Sequence, residues 1–201
     1  YVELKTASDL GTKAGITTKC DGAWAAERAI KDVELSIGGQ RIDKHYQTWW
    51  RLYSELYLDG SKKAQYGKMT SNPVSDTAGT VYLPLLFFFN RNAGLYLPLI
   101  ALQYHEVRID FDLSSEFSAY TDGSTFKVWG NYVYLDTEER RRFAQKGHEY
   151  LIEQVQHTGT DTVTAGATKQ VRLSYNHPVK ELVWCLAGSS SANAQMWNFT
   201  T

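Results

Sequence analysis

Five histidines, at positions 45, 105, 148, 157 and 177, are the side chains best suited to hold a metal or move a proton. None falls in an HxH or HExxH pattern, and neither Cys20 nor Cys185 stands at zinc-ligand spacing. His105 and Glu106 are adjacent, so on a strand they point to opposite faces and cannot chelate one ion together. Asp110 and Asp112 do share a strand face, the geometry of a hard-cation site or an acid–base pair. Their alternation with Ile109 and Phe111 explains the same spacing as an ordinary solvated face. Arg140, Arg141 and Arg142 could grip a phosphate. The run is short and follows Glu138 and Glu139, which fits a surface ion-pair face or a subunit contact made by guanidinium forks. No GxSxG, phosphate-loop, CxxC or dinucleotide-binding glycine pattern occurs. The residues predict no catalytic centre, no cofactor and no metal site. Asn198-Phe199-Thr200 fits the glycosylation triplet, a pattern common by chance.

Composition narrows the classes further. Basic and acidic residues number 21 and 22, so no basic excess argues for direct nucleic-acid contact. No apolar run reaches the length of a membrane-spanning helix. The first residues read as the end of a strand rather than a secretory leader, and a chain opening mid-strand without Met reads as a fragment. Two distant cysteines suggest free thiols in a reducing compartment rather than a disulfide framework. Aromatic residues make up 13% of the chain, which suits β architecture and broad interfaces.

The elements that must carry these residues are mostly strands. Residues 30–37 alternate, with Val33, Leu35 and Ile37 on one face and Asp32, Glu34 and Ser36 on the other. Gly38-Gly39 ends that strand in a turn. Residues 43–58 change to helical period, with Tyr46, Trp49, Trp50, Tyr53 and Tyr57 as a stripe and Asp43 as the N-cap. Residues 59–79 read as a long polar loop, as do residues 6–22. Residues 81–89 are apolar on both faces: Val81, Leu83, Leu85, Phe87 and Phe89 on one, Tyr82, Leu86 and Phe88 on the other. Such a strand is covered twice, which predicts a neighbouring domain or subunit. Pro98 opens a short helical turn to Leu102. Val107, Ile109, Phe111 and Leu113 alternate in the next strand, and residues 126–135 form an aromatic one. Asp136 with Glu139 caps a short helix that Gly147 closes. Residues 149–156 and 171–186 read as strands, the second bent at Asn176-His177-Pro178. Strands, long loops and short inserted helices indicate an all-β antiparallel sandwich or jelly roll.

Four stretches carry a resemblance: NRNAGLYLPLIALQYHEVRIDFDL at 90–113, VYLDTEERRRFAQKGHEYLIEQVQHTG at 133–159, IGGQRIDKHY at 37–46 and YNHPVKELVW at 175–184. In this order they resemble the major capsid proteins of nucleocytoplasmic large DNA viruses. The resemblance implies a double jelly roll, present in part. The first jelly roll, without its opening strands, would span residues 1–135. A connector helix would follow at 136–147, and the first strands of the second jelly roll at 148–201. It implies homotrimeric, pseudo-hexagonal capsomers in an icosahedral virion shell assembled in the host cytoplasm, usually over an internal membrane. Partners would be further copies, neighbouring capsomers, and minor capsid and penton proteins. Packing between chains or domains is expected at Trp49, Trp50, Phe88, Tyr96, Arg141 and Phe143. The loops at 9–22 and 59–79 would decorate the outside. The residues alone leave two other classes open: a carbohydrate-binding jelly roll displaying Trp and Tyr platforms, and a cupin-type enzyme. A minor capsid or penton protein is the rival within the same class.

Overall fold

Among the described residues strand pairing is antiparallel throughout, and apart from one local hairpin it joins segments far apart in sequence. The computed structural model describes residues 1–8, 24–72 and 77–185. One sheet has the order β4-β1-β6, with β1 at Val2–Thr6, β4 at Thr80–Leu83 and β6 at Thr121–Val128. The other has the order β3-β2-β5, with β2 at Ile30–Ile37, β3 at Gln40–Tyr46 and β5 at Val107–Leu113. Register follows the apolar alternation: Leu4 lies opposite Val81 and Phe126, and Leu35 opposite Asp43 and Ile109. Val2, Leu4, Val81 and Leu83 from one sheet meet Ile30, Val33 and Leu35 from the other in a single buried cluster. Phe111 and Phe126 bridge the sheets edge-to-face with ring centres 5.3 Å apart. The result is an antiparallel sandwich.

The β2–β3 hairpin turns on Gly38 and Gly39, both in the left-handed region. A Cβ on Gly38 would lie 2.7 Å from His105 Nδ1, so the position has no room for a side chain. Asp32 departs from its expected solvated face: it is buried and meets Lys44 at 2.9 Å. β5 alternates as expected through Phe111, while Leu113 at its end is exposed; Asp110 and Asp112 stay exposed, with Asp110 paired to Arg108 at 2.8 Å.

Several elements differ from their sequence expectation, each for a local reason. Asp43 is no N-cap; it lies in β3, and helix α2 begins only at Gln47 and runs to Tyr57, after a short helix α1 at Ala25–Ala29. The 59–79 stretch is not all loop. Helix α3 occupies Gly60–Thr70, where Lys, Ala, Gln and Met supply helix propensity and Tyr66 and Thr70 anchor one face. The apolar 81–89 strand stops at Leu83, because Pro84 has no N–H for the ladder. Its burial alternation nevertheless persists through Leu85 and Phe87 until helix α4 at Phe88–Arg91. Pro98 does open a turn, its carbonyl accepting from Ala101 and Leu102. The 126–135 strand is displaced: β6 precedes it, after helix α5 at Phe117–Tyr120, and ends at Val128.

Helix α6, Thr137–Gln145, forms where expected, and Asp136 accepts the Glu139 N–H at 2.8 Å. Gly147 does not adopt the left-handed cap; the helix ends on Lys146 in extended backbone. Residues 147–185 contain no assigned strand, contrary to the reading of 149–156 and 171–186. Alternation alone does not make a strand; a ladder needs a partner edge, and these segments find none among the described residues. The bend at Asn176-His177 does occur. The 9–22 loop, Cys20 and the Asn198 triplet lie outside the described residues.

Candidate functional site

Thirteen of the 22 large apolar side chains exposed among the described residues fall between 129 and 185. Tyr134 is 94% and Trp184 83% exposed. Such a concentration is surface left for further chain or another copy to cover rather than ordinary scatter. Residues 129–136 carry it past the end of β6. Residues 163–184 carry it with Val171, Leu173, Val179, Leu182 and Trp184.

The stretch 148–158 lies against the sandwich between these two exposed runs. Tyr150 Oη donates to the Tyr96 carbonyl at 2.8 Å, and its ring lies 6.5 Å from Phe88. Glu153 pairs with Arg91 at 3.2 Å and with Lys180. The Val155 N–H donates to Asp43 Oδ1 at 2.9 Å, and His157 lies 4.9 Å from Tyr46, ring to ring. Further along, Tyr57 Oη donates to Glu181. The Arg91 and Lys180 pairs are solvent-exposed and contribute little, at most about 1 kcal/mol each. The Asp43 bond is different. Its carboxylate is buried and also accepts the Lys44 N–H at 2.9 Å. Asp43 Oδ2 lies 2.9 Å from Nε2 of the fully buried His45, too oblique for a well-aligned hydrogen bond. His45 in turn stacks on Phe87 at 4.7 Å. Hydrogen bonds to a buried charge are worth about 1.5–3 kcal/mol, so Asp43 dominates this contact.

A second buried polar group ties the helices together. Glu27 of α1 accepts from Tyr66 Oη of α3 at 2.7 Å and lies 3.9 Å from Arg51 of α2. Arg51 stacks on Trp24 at 4.3 Å, bonds Ser54 and pairs with Glu55 at 3.3 Å. Arg28 reaches Tyr120 Oη of α5 at 3.0 Å. Burial pushes the Glu27 carboxyl up to about 7, against the opposing pull of Arg51, Tyr66 and Arg28.

The six expected packing residues separate by depth. Trp50 and Phe88 reach no surface: both sit in the intrachain core, because α2 and the turn after Pro84 aim them inward. Trp49 is half-buried, its ring near His45, Tyr53 and Tyr57. Phe143 is half-buried against His148 at 5.3 Å. Tyr96 is half exposed, and Arg141 is exposed and bonds Glu138 at 2.9 Å. Sequence reasoning missed Asp43 as a tether, because its place in a strand is set by pairing with Leu35 rather than by its own neighbours. Among the described residues no three His, Cys, Asp or Glu side chains converge, and no helix is long and apolar enough to cross a membrane.

Comparison with known proteins decides what kind of molecule exposes so much apolar surface. The profile of the family described as "Major capsid protein N-terminus" matches residues 11–136, and that of "Large eukaryotic DNA virus major capsid protein" matches 139–201. The chain belongs to the large eukaryotic DNA virus major capsid family. It is 48% identical to the major capsid protein of Paramecium bursaria Chlorella virus 1 over 80% of this chain and 41% of the relative. It is also 48% identical to the major capsid protein of Pyramimonas orientalis virus over 80% of this chain and 43% of the relative. The capsid chain thus spans less than half the length of these curated relatives. A solved structure, "PBCV-1 virus capsid, quasi-atomic model", superposes with a TM-score of 0.70 at 42% identity, covering 88% of this chain and 45% of that one. The capsid chain shares that jelly-roll architecture, and its relatives are structural capsid proteins rather than enzymes.

Proposed function

We propose that the capsid chain is the part of a major capsid protein that builds one jelly roll and begins a second, in a protein that assembles as a homotrimer. Residues 1–135 belong to the first sandwich, 136–147 to the connector, and 148–201 supply the opening segments of the second, which become strands only when the rest of that jelly roll offers them a partner edge. Three such proteins make a pseudo-hexagonal capsomer, which tiles an icosahedral shell assembled in the host cytoplasm beside minor capsid and penton proteins and, indirectly, an internal membrane. The observation that carries this reading is the exposed apolar run between 129 and 185, surface for the rest of the second jelly roll and neighbouring copies to cover. At ~25 cal/mol per Å², covering an obligate interface of roughly 2,000–5,000 Å² is ample to hold chains together after ordering costs. Tyr96 and Arg141 are the expected residues that meet neighbours directly, and Trp49 and Phe143 lie at the seam. Trp50 and Phe88 lie in the intrachain core rather than on that surface.

The test is the mass and symmetry of the full-length protein by light scattering and negative-stain microscopy. Threefold particles with a hexagonal outline are expected. A dispersed monomer at micromolar concentration, with or without glycan binding, overturns the reading.

A further inference from the structure

We propose that Asp43 is the positioning residue that docks the segment after the connector, residues 148–158, onto the sandwich, so that one buried carboxylate sets where the following chain departs. The inference goes beyond the trimer reading and holds whether or not trimers form.

Three observations converge. Asp43 is buried, yet Oδ1 reaches across to the Val155 N–H, 112 residues away, at 2.9 Å. The carboxylate cannot easily turn. Oδ1 also takes the Lys44 N–H, and Oδ2 rests against His45, itself locked by stacking on Phe87. The charge that bonds Val155 is therefore aimed by the core of the first sandwich. The other polar links from the segment to the sandwich, through Tyr150 and Glu153, are exposed to solvent and are made by side chains free to re-pair with water. Helix α6 brings the chain to this point without packing into the core itself, since none of its residues is buried. Orientation must come from the docked segment, and within it Val155 is the anchored backbone atom.

The experiment is amide hydrogen exchange on the full-length capsid protein, read at residues 148–158 and, as internal reference, in β2. The Val155 N–H should exchange ~10- to 100-fold more slowly than its neighbours, the factor expected for a hydrogen bond to a buried charge. Asp43→Ala should remove that protection while β2 keeps its own. Asp43→Asn, which retains an acceptor oxygen, should restore part of it. Because Asp43→Ala also strips His45 of its neighbour and could compromise folding, Val155→Pro breaks the same bond from the exposed side. It should loosen 148–158 to protease, whereas Gln154→Pro, which leaves the Val155 N–H intact, should not. The double variant should loosen the segment no further than either single one. Equal exchange at Val155 and its neighbours in the unmodified protein overturns the proposal. So does equal loosening by the two proline substitutions.

Discussion

β2 and the stretch 171–184 carry the same kind of pattern, apolar residues alternating with polar ones, and end in opposite states. Val33 and Leu35 are wholly buried, with β3 on one side and β5 on the other. Val171, Leu173, Val179 and Leu182 have no ladder and lie open to solvent. Alternation gives a segment the capacity to bury one face; a partner edge converts the capacity into structure. The segment 148–158 stands between these limits: it has no ladder either, but it is docked by side chains and one buried acceptor.

The sharpest way to break that contrast is a pair of tryptophan truncations in the 201-residue chain. Trp50→Ala should cost about 3–5 kcal/mol by denaturant unfolding, since it empties a fully enclosed site. Trp184→Ala should cost under about 0.5 kcal/mol there, and several-fold more in the full-length protein if that ring becomes covered. Equal costs in the short chain would mean the two regions are alike.

pH sharpens the comparison from within the buried side. The Glu27 carboxyl titrates at about 7 when folded, above its ordinary value of 4.5, so the folded chain holds the proton more tightly than the unfolded one. Its contribution is full below pH 4.5 and is lost as pH rises to 7, by at most about 3 kcal/mol. Glu27→Gln should flatten that part of the stability–pH curve; an unchanged curve refutes the assignment. The smallest effect belongs to the connector. Asp136→Ala removes the bond to Glu139 and should cost the helix about 1 kcal/mol, seen as faster amide exchange in its first turn.

Much of the sandwich was legible from residue order. β2, β5 and the connector helix capped by Asp136 are local patterns, each written within one turn or one strand, and all three form, with departures only at Asp32, Leu113 and Gly147. What escaped was non-local. Asp43 looked like a helix cap because an aromatic helical stripe follows it; its strand identity depends on pairing with Leu35. Helix α3 looked like a polar loop because its two buried residues, Tyr66 and Thr70, acquire meaning only against Glu27 and the neighbouring elements. The candidate surface was legible as excess apolar character, but not its location. Phe88 and Trp50 seemed as available as Tyr96 until the folded chain enclosed them.

The cramped hairpin at Gly38 divides the molecule into places that can and cannot be embroidered. With its amide held by Glu106 and an imidazole where a methyl group would stand, that corner admits neither larger residues nor extra ones. The connection from β3 to β4 has instead absorbed two whole helices. An epitope or affinity handle grafted on this capsid belongs at the exposed joint around Asp59, where the chain already tolerates ornament.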